Sequence, residues 1–200
     1  FVDSDFVLHP MTIKECVELV SQGCDAVIVW NISDPRPSIW AKVRYYERLS
    51  YYGSNVYEAA RFIRRDLFFD IGGFDENLYA NEDYDLHLRL LKVGAKISRT
   101  KKSYEVHIGE PETLKEIIIK NYYYGHALRD YFRKNPNLLH ALPLRPAYLR
   151  PKFMTKLLKE WPQGIVLIPF LKIIQALSAL LGAYIKPNVS LYGNTTELKY

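Results

Sequence analysis

Cysteine is almost missing from this chain: Cys16 and Cys24 are the only two among 200 residues. Two thiols cannot build a disulfide framework, and neither stands in a metal-type or redox-type spacing, which excludes a zinc-stapled or dithiol scaffold. Cys16 falls on the apolar face of an expected helix and reads as a buried free thiol. Glycine and proline, 10 and 11 residues, are too few for a low-complexity chain. No internal repeat is visible, and long apolar runs are missing with one exception near the C-terminus. What is present is a 48% hydrophobic composition and enough length for one globular domain with a core, or one domain plus an appendage. Tyrosine is frequent, at 16 residues. It serves sugars, headgroups or protein partners as readily as it fills a core.

Positive charge exceeds negative, giving a formal net charge of +5. The excess gathers late, at Arg129, Arg133, Lys134, Arg145, Arg150, Lys152, Lys156 and Lys159, with only Asp130 and Glu160 as acids among them. Such a run suits phosphates, either of nucleic acid or of an anionic membrane surface. Gly164 to Ile185 then reads as strongly apolar, interrupted mainly by Lys172 and Gln175, and by length it can span a bilayer. That sequel favours a membrane, so the expected setting is membrane-associated on the cytoplasmic face, with no nucleic-acid partner. A spanning helix would carry Lys172 at a cost of about 2.5–3.5 kcal/mol. Lys172, Gln175, Ala179 and Gly182 form a small-polar stripe at helical spacing, which leaves spanning, interface-lying and core placements open.

The order of elements points to an α/β layer. Phe1 to Val7 begins as a strand. Thr12-Ile13-Lys14-Glu15 has the form of a capping box, followed by apolar Ile13, Cys16, Val17 and Val20 at helical spacing, with Gly23 as a stop. Asp25 to Trp30 is a nearly continuous apolar run suited to a buried strand. A loop with Pro35 and Pro37 follows, then a helical pattern from Ala41 to about Phe69. The next helix is expected from near Asn81 to Gly94. Tyr104 to Ile108 alternates as a strand, with Glu105 and His107 on one face. A second capping box, Thr113-Leu114-Lys115-Glu116, opens a helix to about Lys134.

Chemistry concentrates in three places. Asp3-Ser4-Asp5 is a DxD whose carboxylates suit Mg²⁺ or Mn²⁺, although paired aspartates are also common in turns. His107 is a further candidate ligand, and imidazole beside carboxylate leans toward Mn²⁺. A lone strand histidine is otherwise usually structural. Between them, Gly72-Gly73-Phe74-Asp75-Glu76 makes a tight turn ahead of Glu82-Asp83 at a helix start. That acidic pair is either simple capping charge, favoured by the helix dipole, or a carboxylate placed to accept a proton from a hydroxyl.

Taken in order, Asp3 and Asp5, Gly72 to Glu76, Glu82 with Asp83, and His107 resemble the catalytic half of a glycosyltransferase family 2 enzyme. The resemblance covers residues 1–135 and implies a GT-A-like α/β fold. Residues 136–200 form a basic, Pro-interrupted segment and an apolar, membrane-associated helix. By that likeness Asp3, Asp5 and His107 hold Mn²⁺ or Mg²⁺, Asp83 is the catalytic base, and Gly72, Gly73, Phe74 and Glu82 meet the substrates. The donor is a nucleotide-activated sugar, and the acceptor is a sugar or lipid-linked hydroxyl. Arginines between Arg44 and Arg65 either meet an anionic acceptor or form a solvated helix face.

In that family nucleotide-binding strands precede the DxD, whereas here only Phe1 and Val2 do. The reading therefore expects the C-terminal part of a catalytic domain, lacking its N-terminal half and binding no nucleotide sugar when isolated. The Gln-x-x-Arg-Trp motif of processive members is missing, so a single transfer rather than polymer synthesis is expected. Two rivals are a membrane-docking scaffold that kept the fold without catalysis, and a basic nucleic-acid binder.

Overall fold

The computed structural model describes residues 1–54, 57–78, 80–134 and 147–185. Tyr79, Pro136, Pro143, Arg145 and Pro146 lie outside the described residues. The described chain is mixed α/β, with one four-stranded sheet and seven α-helices among the described residues.

The strands are β1 (Phe6–Leu8), β2 (Ala26–Ser33), β3 (Phe62–Ile63) and β4 (Ile97–His107), ordered β1-β4-β2-β3. β2 and β4 run parallel, ending with Ser33 beside His107, and β1 and β3 add antiparallel edges. Ala26 to Val29 are all buried, as expected of a central strand covered on both faces. The helices are α1 (Thr12–Ser21), α2 (Ile39–Tyr51), α3 (Arg65–Asp70), α4 (Glu82–Lys92), α5 (Leu114–Lys134), α6 (Pro151–Glu160) and α7 (Gly164–Tyr184). A 3-10 turn, Ala147–Leu149, precedes α6.

Several boundaries differ from expectation. Asp3-Ser4-Asp5 lies in a turn ahead of β1 rather than at the end of a strand, because only Phe6–Leu8 finds a partner, pairing with Glu105 to His107. The first capping box does not form. Glu15 instead accepts from the backbone of Lys101, Lys102 and Ser103, and Thr12 Oγ1 donates to the Tyr104 carbonyl at 3.0 Å, so both side chains tie α1 to β4. Ile13 and Val17, expected in the core, are each 53% exposed, while Cys16 packs against Val27 and Val29.

The single helix expected from Ala41 to Phe69 is two helices around a short strand. Arg61 N donates to Val27 O at 3.1 Å and starts β3 on the edge of β2, a pairing that no helical pattern announces. β4 begins at Ile97, earlier than the alternation at Tyr104, because β2 supplies a ladder for the polar stretch from Ser98. Thr100 Oγ1 accepts from Trp30 N where β2 is irregular. The second capping box does form: Glu116 N donates to Thr113 Oγ1, and Glu116 accepts from the backbone of Glu112 and Thr113.

The tail helices belong to the main core. Val43 and Tyr46 of α2, Ile117 of α5, Phe153 and Leu157 of α6, and Ile168 and Leu171 of α7 form one buried cluster with Trp161. Gly125 and Gly182 let α5 and α7 cross backbone to backbone. A Cβ on either would overlap the carbonyl of Ala179 or Tyr122, respectively. The small-polar stripe along α7 thus faces the protein. Lys172 pairs with Glu47, which is 1% exposed, and donates to Gln175 Oε1 at 3.1 Å.

Candidate functional site

The parallel strands deliver their carboxyl ends to one edge of the sheet, the usual location of ligands in open α/β sheets. His107 closes β4 there. Its Nε2 lies 2.9 Å from Asp5 Oδ2, and its Nδ1 stands 2.9 Å from Glu110 Oε1 at a poor angle for a hydrogen bond. Glu110 is buried, accepts from Ser33 Oγ, and meets Arg44 at 3.3 Å and Arg48 at 2.9 Å. Burial would raise its carboxyl, but Arg44, His107 and Arg48 outweigh burial and hold it far below the usual range. The imidazole is therefore flanked by two carboxylates, one partly exposed and one buried.

The other half of the DxD turns elsewhere. Asp3 Oδ2 accepts from Arg61 at 2.9 Å, and the same guanidinium lies 3.2 Å from Glu105 Oε1 and 3.8 Å from Asp83 Oδ2. Arg61 is held over the rings of Phe1 and Phe6, with its charge half-enclosed by aromatic faces. Glu105 is fully buried and takes a second contact from Asn31 Nδ2 at 2.9 Å, while its Oε2 has no partner among the described residues. Burial raises its carboxyl against the pull of Arg61.

Asp83 stands in the first turn of α4, where its Oδ1 accepts from Tyr84 N at 2.8 Å. Burial raises its carboxyl, Arg61 opposes the rise, and neighbouring Glu82 adds to it. The helix dipole alone leads one to expect the opposite direction, but enclosure by the fold outweighs it. Glu82 shares that first turn and is partly exposed. Asp85 is buried and turned away, pairing with Arg89 and Lys134, each at 2.8 Å.

Arg89 explains how the glycine turn is held. It donates to the carbonyls of Ile71 and Gly73, both at 2.6 Å, while its Nε binds Asp85. Gly72 and Gly73 adopt φ of +85° and +63°, a region that side chains strain to enter. Phe74 then packs edge-on against Phe1 and Phe68. Beside this turn is a cavity of about 330 Å³ bounded by Phe1, Phe68, Phe69 and Phe74, with Arg61 and Arg65 at its wall.

The fold brings Asp5 to His107, and Asp3 to Arg61 beside Asp83. It does not place Asp3 with the Asp5–His107 pair, and among the described residues no group of three carboxylates, imidazoles or thiolates converges as a metal site. Asp5 and His107 by themselves fit a divalent ion in donor chemistry, offering one oxygen and one nitrogen to an ion that takes its remaining ligands from phosphate and water. Sequence reasoning passed over Glu110 and did not single out Arg61. Arg61 lay among five arginines of one helical pattern, which the structure divides. Arg44, Arg48 and Arg61 face inward to Glu110 and Glu105, whereas Arg64 pairs at the surface with Asp25 and Asp66. The available signal for Glu110 was its place three residues after His107 at the end of a strand. No protein-family model matches the chain, and comparison with curated proteins finds no match.

Proposed function

We propose that the chain is the catalytic part of a non-processive, inverting glycosyltransferase that moves a sugar from a nucleotide-sugar donor to an acceptor hydroxyl. The supporting observation is the convergence of Asp3 and Asp83 on the guanidinium of Arg61, beside the pair Asp5–His107. In this reading Asp83 takes the proton from the acceptor hydroxyl as that oxygen attacks the anomeric carbon, and the bond from that carbon to the diphosphate breaks. Its burial-raised carboxyl makes it a stronger proton acceptor than an exposed aspartate. Asp5 and His107 would hold Mn²⁺ or Mg²⁺, whose charge offsets that of the departing diphosphate. Arg61 orients Asp3 and Asp83. Gly72 and Gly73 let the turn approach the substrates, and Glu82 and Phe74 contact them, the aromatic cavity suiting the apolar face of a sugar ring.

The acceptor is a sugar or a lipid-linked hydroxyl, and the protein works at a membrane surface on its cytoplasmic side. α7 supports the membrane association alone, being the one described helix long and apolar enough to cross a bilayer.

The deciding experiment compares the full natural protein with Asp83→Asn across UDP-, GDP- and dTDP-sugars. Turnover should fall by roughly 10²–10⁴ with donor binding nearly intact. Near-normal turnover in Asp83→Asn, with Asp85→Asn inactive, would assign the base to the wrong carboxylate. A second reading, a scaffold without catalysis, is favoured by the engagement of Asp3 with Arg61 rather than with Asp5 and His107. Failure of the natural protein to consume any of these donors would select it.

A further inference from the structure

We propose that α7 does not cross a bilayer but lies in the plane of an anionic membrane surface, its outward stripe sunk among the lipids while its inward face stays on the protein. This deepens the membrane association read above and rests on it.

Two faces of α7 carry the inference. Outward, Val166, Phe170, Ile173, Leu177, Leu180 and Leu181 recur at helical spacing, between 43% exposed at Phe170 and 71% at Val166. Across 21 residues, about 30 Å of helix, this stripe contains no charge. An apolar surface of that extent is unusual on a protein meeting only water. Inward, Ile168, Leu171, Ser178 and Gly182 are buried, and the only charge of the helix, Lys172, turns to Glu47 of α2. Gly125 and Gly182 lock the helix to α5 through close backbone contact. Arg129 Nη1 also reaches the Ala183 carbonyl near the end of the helix.

Among the described residues no other helix is long and apolar enough to cross beside α7, so a spanning α7 would offer its whole circumference to lipid. To span, α7 would have to leave α5, open both glycine contacts and carry Lys172 into hydrocarbon without Glu47. A helix lying in the interface does none of these, because only its outward half enters lipid.

The occupant of the stripe is a bilayer by charge. The segment leading into α7 presents Arg150, Lys152, Lys156 and Lys159, all exposed, with Glu160 beside Lys156 as the acid nearest them in sequence. Basic side chains at one end of an uncharged apolar stripe match phosphate headgroups above acyl chains. A second copy of the chain would bring the same positive segment instead of the negative charge that complements these residues.

The test places single cysteines at Val166, Ile173, Leu177 and Leu180 of the full chain, in a Cys24→Ser background. Cys16 stays unlabelled, being fully buried with its thiol pushed up to about 11 by burial. Nitroxide depth is read on vesicles of phosphatidylcholine with and without phosphatidylglycerol. The expected result is one shallow depth, about 5–10 Å, at all four positions. Binding should be at least about tenfold weaker without the anionic lipid, and at least about tenfold weaker for the double variant Leu177→Asp, Leu181→Asp. A depth that passes through the bilayer centre along the helix would overturn the in-plane seat while leaving membrane association intact. No vesicle binding at all would overturn both. Spin–spin broadening between labels in lipid-free solution, abolished by the Asp pair, would assign the stripe to a second copy and overturn the proposal.

Discussion

Oδ2 of Asp5 and Nε2 of His107 lie 2.9 Å apart, joining the turn before β1 to the last residue of β4. The antiparallel pairing of Phe6 with His107 enforces the meeting, since it puts the residue before β1 at the carboxyl end of β4. Glu110, on the far side of the imidazole, is fixed by Arg44 and Arg48.

Mn²⁺ affinity tests that arrangement. Asp5→Asn and His107→Ala should each weaken Mn²⁺ binding, read by the paramagnetic resonance of the free ion. Glu110→Gln, which removes the charge facing Nδ1 without touching the ion, should weaken binding less than either, because Glu110 makes no well-aligned hydrogen bond to the ring. Asp3→Asn should cost less than Asp5→Asn, because Asp3 is held by Arg61. Equal affinity in all four variants would mean that the ion, if bound, sits elsewhere.

The pH dependence of turnover tests Asp83. Its carboxyl is raised above 3.8 by burial, so the acid limb of kcat should lie higher than for an exposed aspartate. The positive charge of Arg61 favours the carboxylate and restrains that rise. Arg61→Gln should therefore move the acid limb further up in pH. A limb that stays in place would detach Arg61 from the titrating group.

Glu47 makes a prediction about stability in acid. Burial raises its carboxyl, but Arg44 and Lys172 outweigh burial and lower it from 4.5 to about 2. A carboxyl depressed on folding contributes stability that is complete above its unfolded value and lost as pH falls through the folded one. Denaturant midpoints should therefore decline between about pH 4.5 and pH 2, and Glu47→Gln should remove part of that slope. At neutral pH, Glu47→Ala should cost about 1–3 kcal/mol, since it removes the buried carboxylate that Arg44 and Lys172 share while Arg44 keeps Glu110 and Lys172 keeps Gln175. An unchanged melting curve would mean that solvent already screens the pair.

Arg89 is expected to be structural in spite of its place beside the glycine turn. Arg89→Lys loses the fork that serves Ile71 and Gly73, and should cost about 1–3 kcal/mol for the carbonyls left unpaired. Proteolysis should then begin at the turn. If stability holds and only acceptor KM rises, Arg89 acts on the substrate rather than through the turn.

Local signals were legible wherever a residue's neighbours in sequence were also its neighbours in space. The start of α4, the capping box of α5 and the buried run of β2 all announce themselves within a few residues. The first capping box misled because Glu15 found the backbone of Lys101 to Ser103, partners far away in sequence, and long-range hydrogen bonds replaced local ones. β3 was invisible for the same reason. Two residues, Phe62 and Ile63, carry no periodicity, and only the free edge of β2 makes them a strand.

The sequence by itself determined the α/β order, the acidic and glycine motifs, the basic run and the apolar length of α7, since these depend on composition and short spacings. Only the tertiary structure decided which carboxylate meets which cation. It parted Asp3 from Asp5, gave Asp83 and Glu105 a shared guanidinium, and turned Lys172 inward to Glu47. The physical reason is that an ion pair is chosen by distance and burial, and residues remote in the chain acquire both only when the sheet and helices close around them.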